Sequence, residues 1–145
     1  MTNQNTAPYA ALILRVSLGV LFIAHGALKL FVFTPAGTVG FFESIGLPGF
    51  FAYLTILAEI GGGAALIAGF ATRLVSIATL PILLGAVFLV HGANGWLYTN
   101  PNGGWEFPAF WAATLVVQAL LGDGAHAVRT PKMLSLTPDS FARQG

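Results

Sequence analysis

The sequence predicts an all-α integral membrane protein, a four-helix bundle built from two repeated helical hairpins. Hydrophobic residues make up 56% of the 145 residues and charged residues only 8%, against about 25% in a soluble domain. Four long apolar stretches are separated by loops rich in glycine, proline and asparagine. The ten residues 18–27 (LGVLFIAHGA) recur as residues 84–93 (LGAVFLVHGA), with six identical positions.

The first hairpin is predicted from two apolar stretches and the loop between them. Residues 9–33 contain only four strongly polar side chains. A span needs about 20 apolar residues, so these residues form the first transmembrane helix. Residues 34–49 carry two prolines and four glycines, which indicates a loop, with a short interfacial helix at residues 39–45. Pro48 then introduces the second span, residues 50–70.

The second hairpin follows the same plan. The short connection Gly69–Arg73 makes the second and third spans antiparallel neighbours. Residues 72–93 form the third span, and residues 94–106 form a second loop rich in turn residues. The fourth span covers residues 107–127, and residues 128–145 form a polar cytoplasmic tail. The length permits one domain, so residues 1–145 are treated as a single transmembrane domain.

The distribution of basic residues predicts the orientation in the membrane. The loops 34–49 and 94–106 contain no lysine or arginine. The connection between spans two and three and the C-terminal tail carry four basic residues: Arg73, Arg129, Lys132 and Arg143. Basic residues concentrate on the cytoplasmic side of membrane proteins, so both termini are predicted to be cytoplasmic. Both His-Gly-Ala segments then lie toward the outer face.

Composition excludes several classes of function. The chain has no cysteine, which excludes disulfides, iron–sulfur ligation and a catalytic thiol. Its net charge of +1 gives no indication of nucleic-acid binding. The predicted solvent is the lipid bilayer, and no metal site is assigned.

Glu59 is the most informative polar residue. It lies nine residues after Phe50, which is about 14 Å along a helix and near mid-bilayer. An unpaired carboxylate is costly at that depth, so Glu59 is expected to be protonated or paired. The candidate partners are Arg15, His25 and Lys29. An ion pair that only fixes helix packing is the alternative to a catalytic role.

Two histidines are predicted to accompany Glu59 in the outer half. His25 and Lys29 are four residues apart and share one helical face. The repeat predicts that His25 and His91 lie at similar depths on neighbouring helices. Alternatively, His25 is a neutral histidine that donates to a backbone carbonyl. The alternative for Lys29 is that its side chain extends to the membrane interface.

Further ligand-binding candidates lie on the first span and around the second loop. The set is His91, Arg15, Asn94, Trp96, Trp105 and Glu106. Arg15 needs a carboxylate, which Glu59 or Asp123 would supply. The tryptophans are alternatively plain interface anchors, and Glu106 is alternatively a helix cap.

Three kinds of site fit these residues. A quinone pocket needs an apolar slot, hydrogen-bond donors and a proton path, which His91 and the catalytic candidates Glu59, His25 and Lys29 would supply. Bis-histidine haem ligation is disfavoured because two histidines do not specify a haem, and a copper or zinc site has similar weight. The third kind is a polar cluster that holds a membrane scaffold together while a partner docks.

These motifs together resemble the DoxX family of small four-helix membrane proteins, over about residues 11–124. The matching positions are Arg15, Gly19, His25, Gly26, Lys29, Gly46, Leu47, Pro48, Ala58, Glu59, Gly62, Gly69, Thr72, Arg73, His91, Gly92, Ala93, Asn94, Gly95, Gly104 and Glu106. The resemblance implies a multi-pass protein of the bacterial inner membrane. It also implies a link to redox work, because the related DoxD-type subunit belongs to a thiosulfate:quinone oxidoreductase.

The predicted function is therefore the membrane subunit of a quinone-linked oxidoreductase or redox complex, with a polar pocket in the periplasmic half. A chain without cysteine or a cofactor motif needs a bound quinone, or a soluble or membrane redox partner, to carry electrons. A second copy of the chain is a further candidate partner. The alternatives are a non-enzymatic membrane scaffold or anchor, and a transport element for a small molecule or protons.

Overall fold

The computed structural model describes residues 6–136, and all regular secondary structure in that range is helical. The five α-helices are α1 (Ala7–Ala27), α2 (Pro35–Ser44), α3 (Phe50–Ala68), α4 (Thr72–Gly85) and α5 (Glu106–Leu121). Helix α1 continues as a π-helical turn, Leu28–Val32. Helix α4 continues as a second π-helical turn, Ala86–His91, and a 3₁₀ turn, Gly92–Asn94. A last 3₁₀ turn covers Lys132–Leu134.

Within residues 6–136, three continuous helical segments are long and apolar enough to cross a membrane. They are Ala7–Val32, Phe50–Ala68 and Thr72–Asn94. Helix α5 has 16 residues, which is shorter than the about 20 residues of a straight span. It ends at Leu121 because Gly122 has a φ of 82°, which does not continue a right-handed helix. A crossing by the predicted fourth span, residues 107–127, stays a prediction.

The helices α1, α3, α4 and α5 pack in a cyclic order. Helix α1 makes its most extensive contacts with α3, and α4 makes its most extensive contacts with α5. Smaller contacts join α3 to α4 and α5 to α1, which leaves α1 and α4 diagonally opposed. Helix α2, which begins earlier than the predicted interfacial segment 39–45, packs on α3.

Two glycines bring α1 and α3 into backbone contact. A Cβ atom on Gly19 would lie 2.6 Å from the carbonyl oxygen of Gly63, and a Cβ on Gly63 would lie 2.7 Å from that of Gly19. Any larger side chain would force the two helices apart. Small residues at such crossings are the usual means of helix association in lipid, where apolar burial gives little driving force.

One end of the bundle is closed by hydrogen bonds between distant parts of the chain. The Ala125 N–H donates to the Pro8 carbonyl at 2.9 Å, and the Thr72 N–H donates to Oδ1 of Asp123 at 3.1 Å. We call this the turn end; it comprises the start of α1 and residues 69–72 and 122–130. The opposite end, with residues 33–49 and 95–105, is the loop end. Residues 137–145 of the predicted tail, which include Arg143, lie outside the described residues.

Arg15 lies toward the turn end, where it contacts backbone carbonyls. It is 1% exposed. Its Nη1 donates to the carbonyls of Leu66, at 2.9 Å, and Ile67, and its Nη2 donates to the carbonyl of Ala125 at 2.9 Å. The carbonyls at the C-terminus of α3 carry partial negative charge, which stabilises a cation.

The prediction that Glu59 could serve as the carboxylate partner of Arg15 is wrong. Arg15 lies ten residues before His25, which is about 15 Å along α1. Glu59 forms its ion pair with Lys29 near the other end of the bundle. The other predicted carboxylate, Asp123, lies at the turn end two residues before Ala125, whose carbonyl accepts from Arg15. Arg15 is therefore separated from the other candidate site residues.

Candidate functional site

Two groups of candidate residues lie at the loop end. The first, which we call the ion-pair cluster, consists of His25, Lys29, Glu59 and Trp111. The second, which we call the loop cavity, is an open cavity of about 640 Å³. Its walls are His91, Trp96, Tyr98, Gly103, Gly104, Glu106, Phe107, Pro108 and Phe110.

Lys29 and Glu59 form a salt bridge between α1 and α3. Nζ of Lys29 donates to both carboxylate oxygens of Glu59 at 2.9 Å. The side chain of Glu59 is 4% exposed and that of Lys29 is 20% exposed, so the carboxylate is buried and the ammonium lies nearer the surface. The prediction that Glu59 faces the interior and contacts Arg15, His25 or Lys29 is confirmed, with Lys29 as the partner.

Local sequence explains why this pair can form. Glu59 shares the buried face of α3 with Ile56 and Gly63. Gly26 lies opposite, and a Cβ there would be 2.7 Å from Cδ1 of Ile60 and 3.3 Å from Cβ of Glu59. The glycine therefore lets α1 approach the backbone of α3 closely enough for the lysine to reach the carboxylate.

His25 lies one turn from Lys29 and has a protein partner of its own. Its Nδ1 is 2.9 Å from the carbonyl oxygen of Leu21. A carbonyl only accepts, so Nδ1 carries the proton, and in the neutral ring Nε2 is an acceptor. This geometry agrees with the simpler interpretation of His25, a neutral histidine that donates to a carbonyl.

Trp111 was missed by the sequence analysis, although its indole lies inside the ion-pair cluster. Its ring contacts His25 edge-on, with centroids 4.9 Å apart, and lies 4.8 Å from the ring of Phe22. It is 4% exposed, and its Nε1–H has no hydrogen-bond partner among the described residues. Its position in an unbroken apolar stretch gave no signal, because the contact with His25 depends on how α1 and α5 pack.

His91 and Asn94 hold the second loop against the end of α4. Nδ1 of His91 and Nδ2 of Asn94 both lie 2.9 Å from the carbonyl oxygen of Gly103. The His91 proton is therefore on Nδ1, and Nε2 of the neutral ring can bind a ligand. Oε1 of Glu106 accepts from the backbone N–H of Tyr98 at 2.9 Å, which fixes the other side of the loop.

The predicted tryptophans meet at the cavity. The rings of Trp96 and Trp105 are perpendicular, with centroids 4.5 Å apart. Trp96 lines the loop cavity, and Trp105 lines a second, apolar cavity on the side of α4 that also contains Phe88. Phe107 lines the loop cavity and contacts Trp111 at 5.8 Å, so two aromatic contacts connect the cavity with His25.

The histidine pair is not brought together. His25 lies on α1 and His91 at the end of the α4 segment, and these two helices lie diagonally in the bundle. Each imidazole donates to a different backbone carbonyl. The prediction of neighbouring helices is therefore wrong, and the arrangement does not offer one metal to both rings. Residues 6–136 also contain no cluster of three or more His, Cys, Asp or Glu side chains that could hold a metal ion.

The comparison with known proteins agrees with the membrane character of these helices. Residues 10–92 match the family model described as DoxX. The chain belongs to the DoxX family. It is 32% identical over 125 residues to "Inner membrane protein YqjF" of Escherichia coli (strain K12), a match that covers 81% of this chain and 87% of YqjF.

A second relative carries a functional name. The chain is 42% identical over 79 residues to "Putative oxidoreductase CatD" of Bacillus subtilis (strain 168). That match covers 54% of this chain and 58% of CatD. No solved structure matches the chain significantly.

The DoxX match covers one group of candidate residues better than the other. His25, Lys29, Glu59 and His91 lie inside residues 10–92. Trp111 and most walls of the loop cavity follow residue 92 and lie outside the matched range. The family assignment therefore includes the ion pair itself, whereas the cavity has to be argued from its own geometry.

Proposed function

We propose that this DoxX-family protein is the membrane subunit of a quinone-linked oxidoreductase of the bacterial inner membrane, and that a quinone ring binds in the loop cavity. The observation that carries the proposal is His91, an imidazole in the wall of an aromatic-lined cavity of about 640 Å³ with Nδ1 already fixed by a carbonyl. Ligand pockets of about 300–1,000 Å³ with mostly apolar walls and few polar groups are typical of small-molecule sites.

His91 has the chemistry that the two forms of a quinone need. In the neutral ring Nε2 accepts a hydrogen bond from a quinol hydroxyl, and in the imidazolium Nε2 donates to a quinone carbonyl. Reduction of a quinone adds two electrons and two protons to its two carbonyl oxygens. We assign one proton to His91 and the other to water at the loop end. The electrons come from a redox group held by a partner enzyme.

The ion-pair cluster is proposed to hold a proton beside the cavity. Glu59 and Lys29 can exchange a proton without net charge change, and His25, one helical turn from Lys29, keeps Nε2 as an acceptor in the neutral ring. Ionisable groups inside the membrane commonly mark proton or substrate paths. Trp111 of this cluster contacts Phe107 of the cavity wall, so Glu59, Lys29 and His25 influence the cavity through these two aromatic rings.

The relatives' names and the charge distribution support this location and class. One relative is named an inner membrane protein and another carries an oxidoreductase name. The positive-inside rule assigns the loop end to the periplasm and both termini to the cytoplasm. Reporter fusions after Gly40 and after Asn102 should read out as periplasmic. A cytoplasmic signal at either position would contradict this orientation.

Binding of a short-chain ubiquinone to the full chain in mild detergent tests the proposal. Trp96 and Trp105 report binding through quenching of their fluorescence. His91→Phe should weaken binding about fivefold, because one hydrogen bond to a polar ligand is worth about 1 kcal/mol. His126→Phe is the matched control, since His126 lies at the turn end against Tyr9.

Two results would overturn the quinone assignment. One is quenching that does not saturate with ubiquinone, and the other is equal affinity in the His91→Phe and His126→Phe variants. Mass spectrometry of the gently solubilised protein should also find a co-purified quinone. An absorption spectrum of the same sample tests for haem, which would require a Soret band.

A scaffold or anchor is the second candidate function, and one observation favours it. Lys29, Glu59 and Nδ1 of both histidines already have protein partners, as expected of side chains that only fix packing. A scaffold predicts that Glu59→Gln lowers stability and leaves ubiquinone binding unchanged. The quinone proposal predicts a change in the pH dependence of binding in that variant.

A further inference from the structure

The loop cavity contains a carboxylate oxygen that the protein itself does not use. Oε1 of Glu106 accepts from the backbone N–H of Tyr98 at 2.9 Å. Among residues 6–136, Oε2 of Glu106 has no hydrogen-bond partner and no salt bridge, and it is not one of the buried polar atoms. Glu106 is also the first residue of α5, where the helix dipole stabilises a negative charge. The cavity therefore presents one accessible negative oxygen to a ligand.

Four aromatic side chains share the cavity wall with Glu106. They are Trp96, Tyr98, Phe107 and Phe110. Each is between 44% and 70% exposed, so the rest of the protein leaves much of their ring surface uncovered. The face of an aromatic ring has a negative electrostatic potential and attracts a cation that lies within about 6 Å of the ring centre. Aromatic rings that share a cavity with a carboxylate are suited to binding organic ammonium ions.

The charges around the cavity also favour a cation. Residues 74–128 contain no lysine or arginine. The loop residues 33–49 and 95–106 contain two charged side chains, Glu43 and Glu106, and the neighbouring ion pair is neutral overall. A cleft lined by one sign of charge raises the local concentration of ions of the opposite sign. A phosphate group in the same cavity would meet no lysine or arginine in the walls.

We propose that the loop cavity binds a small organic cation, an alkylated ammonium ion without a phosphate group, from the aqueous phase at the loop end. The aromatic walls contact the alkyl groups of the ion, and Oε2 of Glu106 balances its charge. The open cavity, with a volume of about 640 Å³, is large enough for such an ion. The site shares its cavity with the proposed quinone but does not rest on that proposal.

The cation and the proposed quinone use different polar groups of the same cavity. The quinone is assigned to His91, whose Nδ1 is fixed by the carbonyl of Gly103. The cation is assigned to Oε2 of Glu106, and the neutral imidazole of His91 adds no charge that would repel it. The two ligands should therefore compete for the cavity, while the affinity of each depends on its own side chain.

Choline and its uncharged analogue 3,3-dimethylbutan-1-ol test the proposal on the full chain in dodecyl maltoside. A carbon atom replaces the nitrogen in the analogue, so the shape is kept and the charge is removed. Saturation-transfer NMR, with irradiation of the aromatic protons of the protein, detects the methyl groups of either probe close to the rings. Choline should bind at least about tenfold more tightly than the analogue. Equal affinities would overturn the proposal, because the cavity would then select only for shape and apolar surface.

The carboxylate is tested by a pair of matched variants. Glu106→Gln should weaken choline binding about fivefold, because it removes the charge that faces the ammonium ion. Glu43→Gln is the control, since Glu43 is the other carboxylate of the loop residues and does not line the cavity. Equal losses in the two variants would contradict a site at Glu106. Ubiquinone is uncharged, so Glu106→Gln should leave its affinity unchanged, and the two proposals can therefore fail separately.

The aromatic walls and the preference against phosphate are tested in the same way. Phe110→Leu should weaken choline binding about threefold, because leucine has no ring face. Phe88→Leu is the control, because Phe88 is similarly exposed and lines the second cavity, and an equal loss there would contradict the aromatic contact. Phosphocholine should bind more weakly than choline. Tighter binding of phosphocholine would overturn the assignment of a cation without phosphate.

Discussion

The two copies of the ten-residue repeat have nearly the same sequence and opposite surroundings. In the first copy Leu18 is 2% exposed and Phe22 is fully buried. In the second copy Leu84 is 41% exposed and Phe88 is 74% exposed. The same apolar side chains therefore form the core in one copy and face outward in the other.

The glycines of the two copies differ in the same way. Gly19 is packed against the backbone of α3, whereas a Cβ on Gly85 would meet no atom within 4 Å. Gly26 is packed on Ile60, whereas Gly92 is near only a carbonyl of its own segment. The first copy thus makes a helix–helix contact that the second copy does not make.

The backbone gives a physical reason for the difference. The first copy is α-helical as far as Ala27, and its π-helical turn follows at Leu28–Val32. In the second copy the π-helical turn, Ala86–His91, falls inside the repeat itself. A π turn holds more residues than an α turn, which rotates the side chains that follow it around the helix axis. Equal sequences therefore do not guarantee equal faces.

A repeat can keep its residues while its two copies take different structural positions. The first copy supplies His25 and the approach to the Lys29–Glu59 pair. The second copy supplies His91 to a loop cavity and exposes Phe88. The ion pair thus lies beside the first copy and the cavity wall includes the second.

The largest expected difference is between the two phenylalanines. Phe22→Ala should cost about 3 kcal/mol of unfolding free energy, because it opens a cavity in a closely packed core. Phe88→Ala should cost less than about 0.5 kcal/mol, as for other exposed sites. Unfolding titrations of both variants in the same detergent measure the difference. Similar losses would show that the second copy is also packed, for example in an oligomer.

The next largest effect is expected at the Lys29–Glu59 ion pair, which lies beside the first copy. Glu59→Gln should lower the unfolding free energy by about 2–3 kcal/mol, which is near the lower limit for breaking a buried ion pair. The loss is not larger because Lys29 is partly exposed and its ammonium can reach the interface. The double variant Glu59→Gln, Lys29→Met should recover part of that loss, since no cation is left unpaired. The measurement is the melting temperature in detergent.

Glu106→Gln is the control for the ion pair at the second copy's loop. Its Oε1 accepts only a backbone N–H, and an amide oxygen can replace it. The expected loss of unfolding free energy is about 0.5 kcal/mol. If Glu59→Gln is as mild as Glu106→Gln, the pair does not hold α1 on α3.

The glycines give a smaller but more local difference. Gly19→Ala should destabilise by about 1–2 kcal/mol, because the new methyl would overlap a backbone carbonyl and separate α1 from α3. Gly85→Ala should be neutral or stabilise by up to about 1 kcal/mol, because alanine is the better helix former. Thermal unfolding checks both. Destabilisation by Gly85→Ala would indicate a partner on that face.

Much of this fold could be predicted from the sequence, because the features concerned depend on neighbouring residues in the chain. The apolar stretches, the loops rich in glycine and proline, and the approximate bounds of three long helical segments follow from composition and length. The burial of Glu59 also followed, since a carboxylate deep in an apolar stretch needs a partner. The sequence left Arg15, His25 and Lys29 open as its partner, and the structure has Lys29 in that position.

What the sequence did not predict depends on helix rotation and on which helices meet. The repeat suggested that the two histidines are adjacent. Because α1 packs mainly on α3 and α4 mainly on α5, the two helices that carry the histidines lie diagonally in the bundle. Arg15 was expected to need a carboxylate, whereas the carbonyls of Leu66 and Ile67 serve it. Trp111 has no sequence signal, because its role comes from packing against His25.

The smallest expected effect on stability concerns the two histidines, and it separates a ligand role from a packing role. The carbonyl that His25 binds belongs to its own helix, and the carbonyl of Gly103 that His91 binds also accepts from Asn94. Neither acceptor is left without a donor when the imidazole is removed. His25→Phe and His91→Phe should therefore each change the unfolding free energy by less than about 1 kcal/mol.

Dynamics should distinguish the two histidine variants where stability does not. His91 holds residues 95–105 against the end of α4 through its bond to Gly103, so His91→Phe should speed amide hydrogen exchange in that loop. His25→Phe should leave the exchange in the loop unchanged, because the hydrogen bond of His25 stays within α1. Asn94→Ala, which removes the second donor to Gly103, is the control for a purely structural effect. If Asn94→Ala loosens the loop as much as His91→Phe and ubiquinone binding falls equally in both, the imidazole acts on the loop and has no direct role toward a ligand.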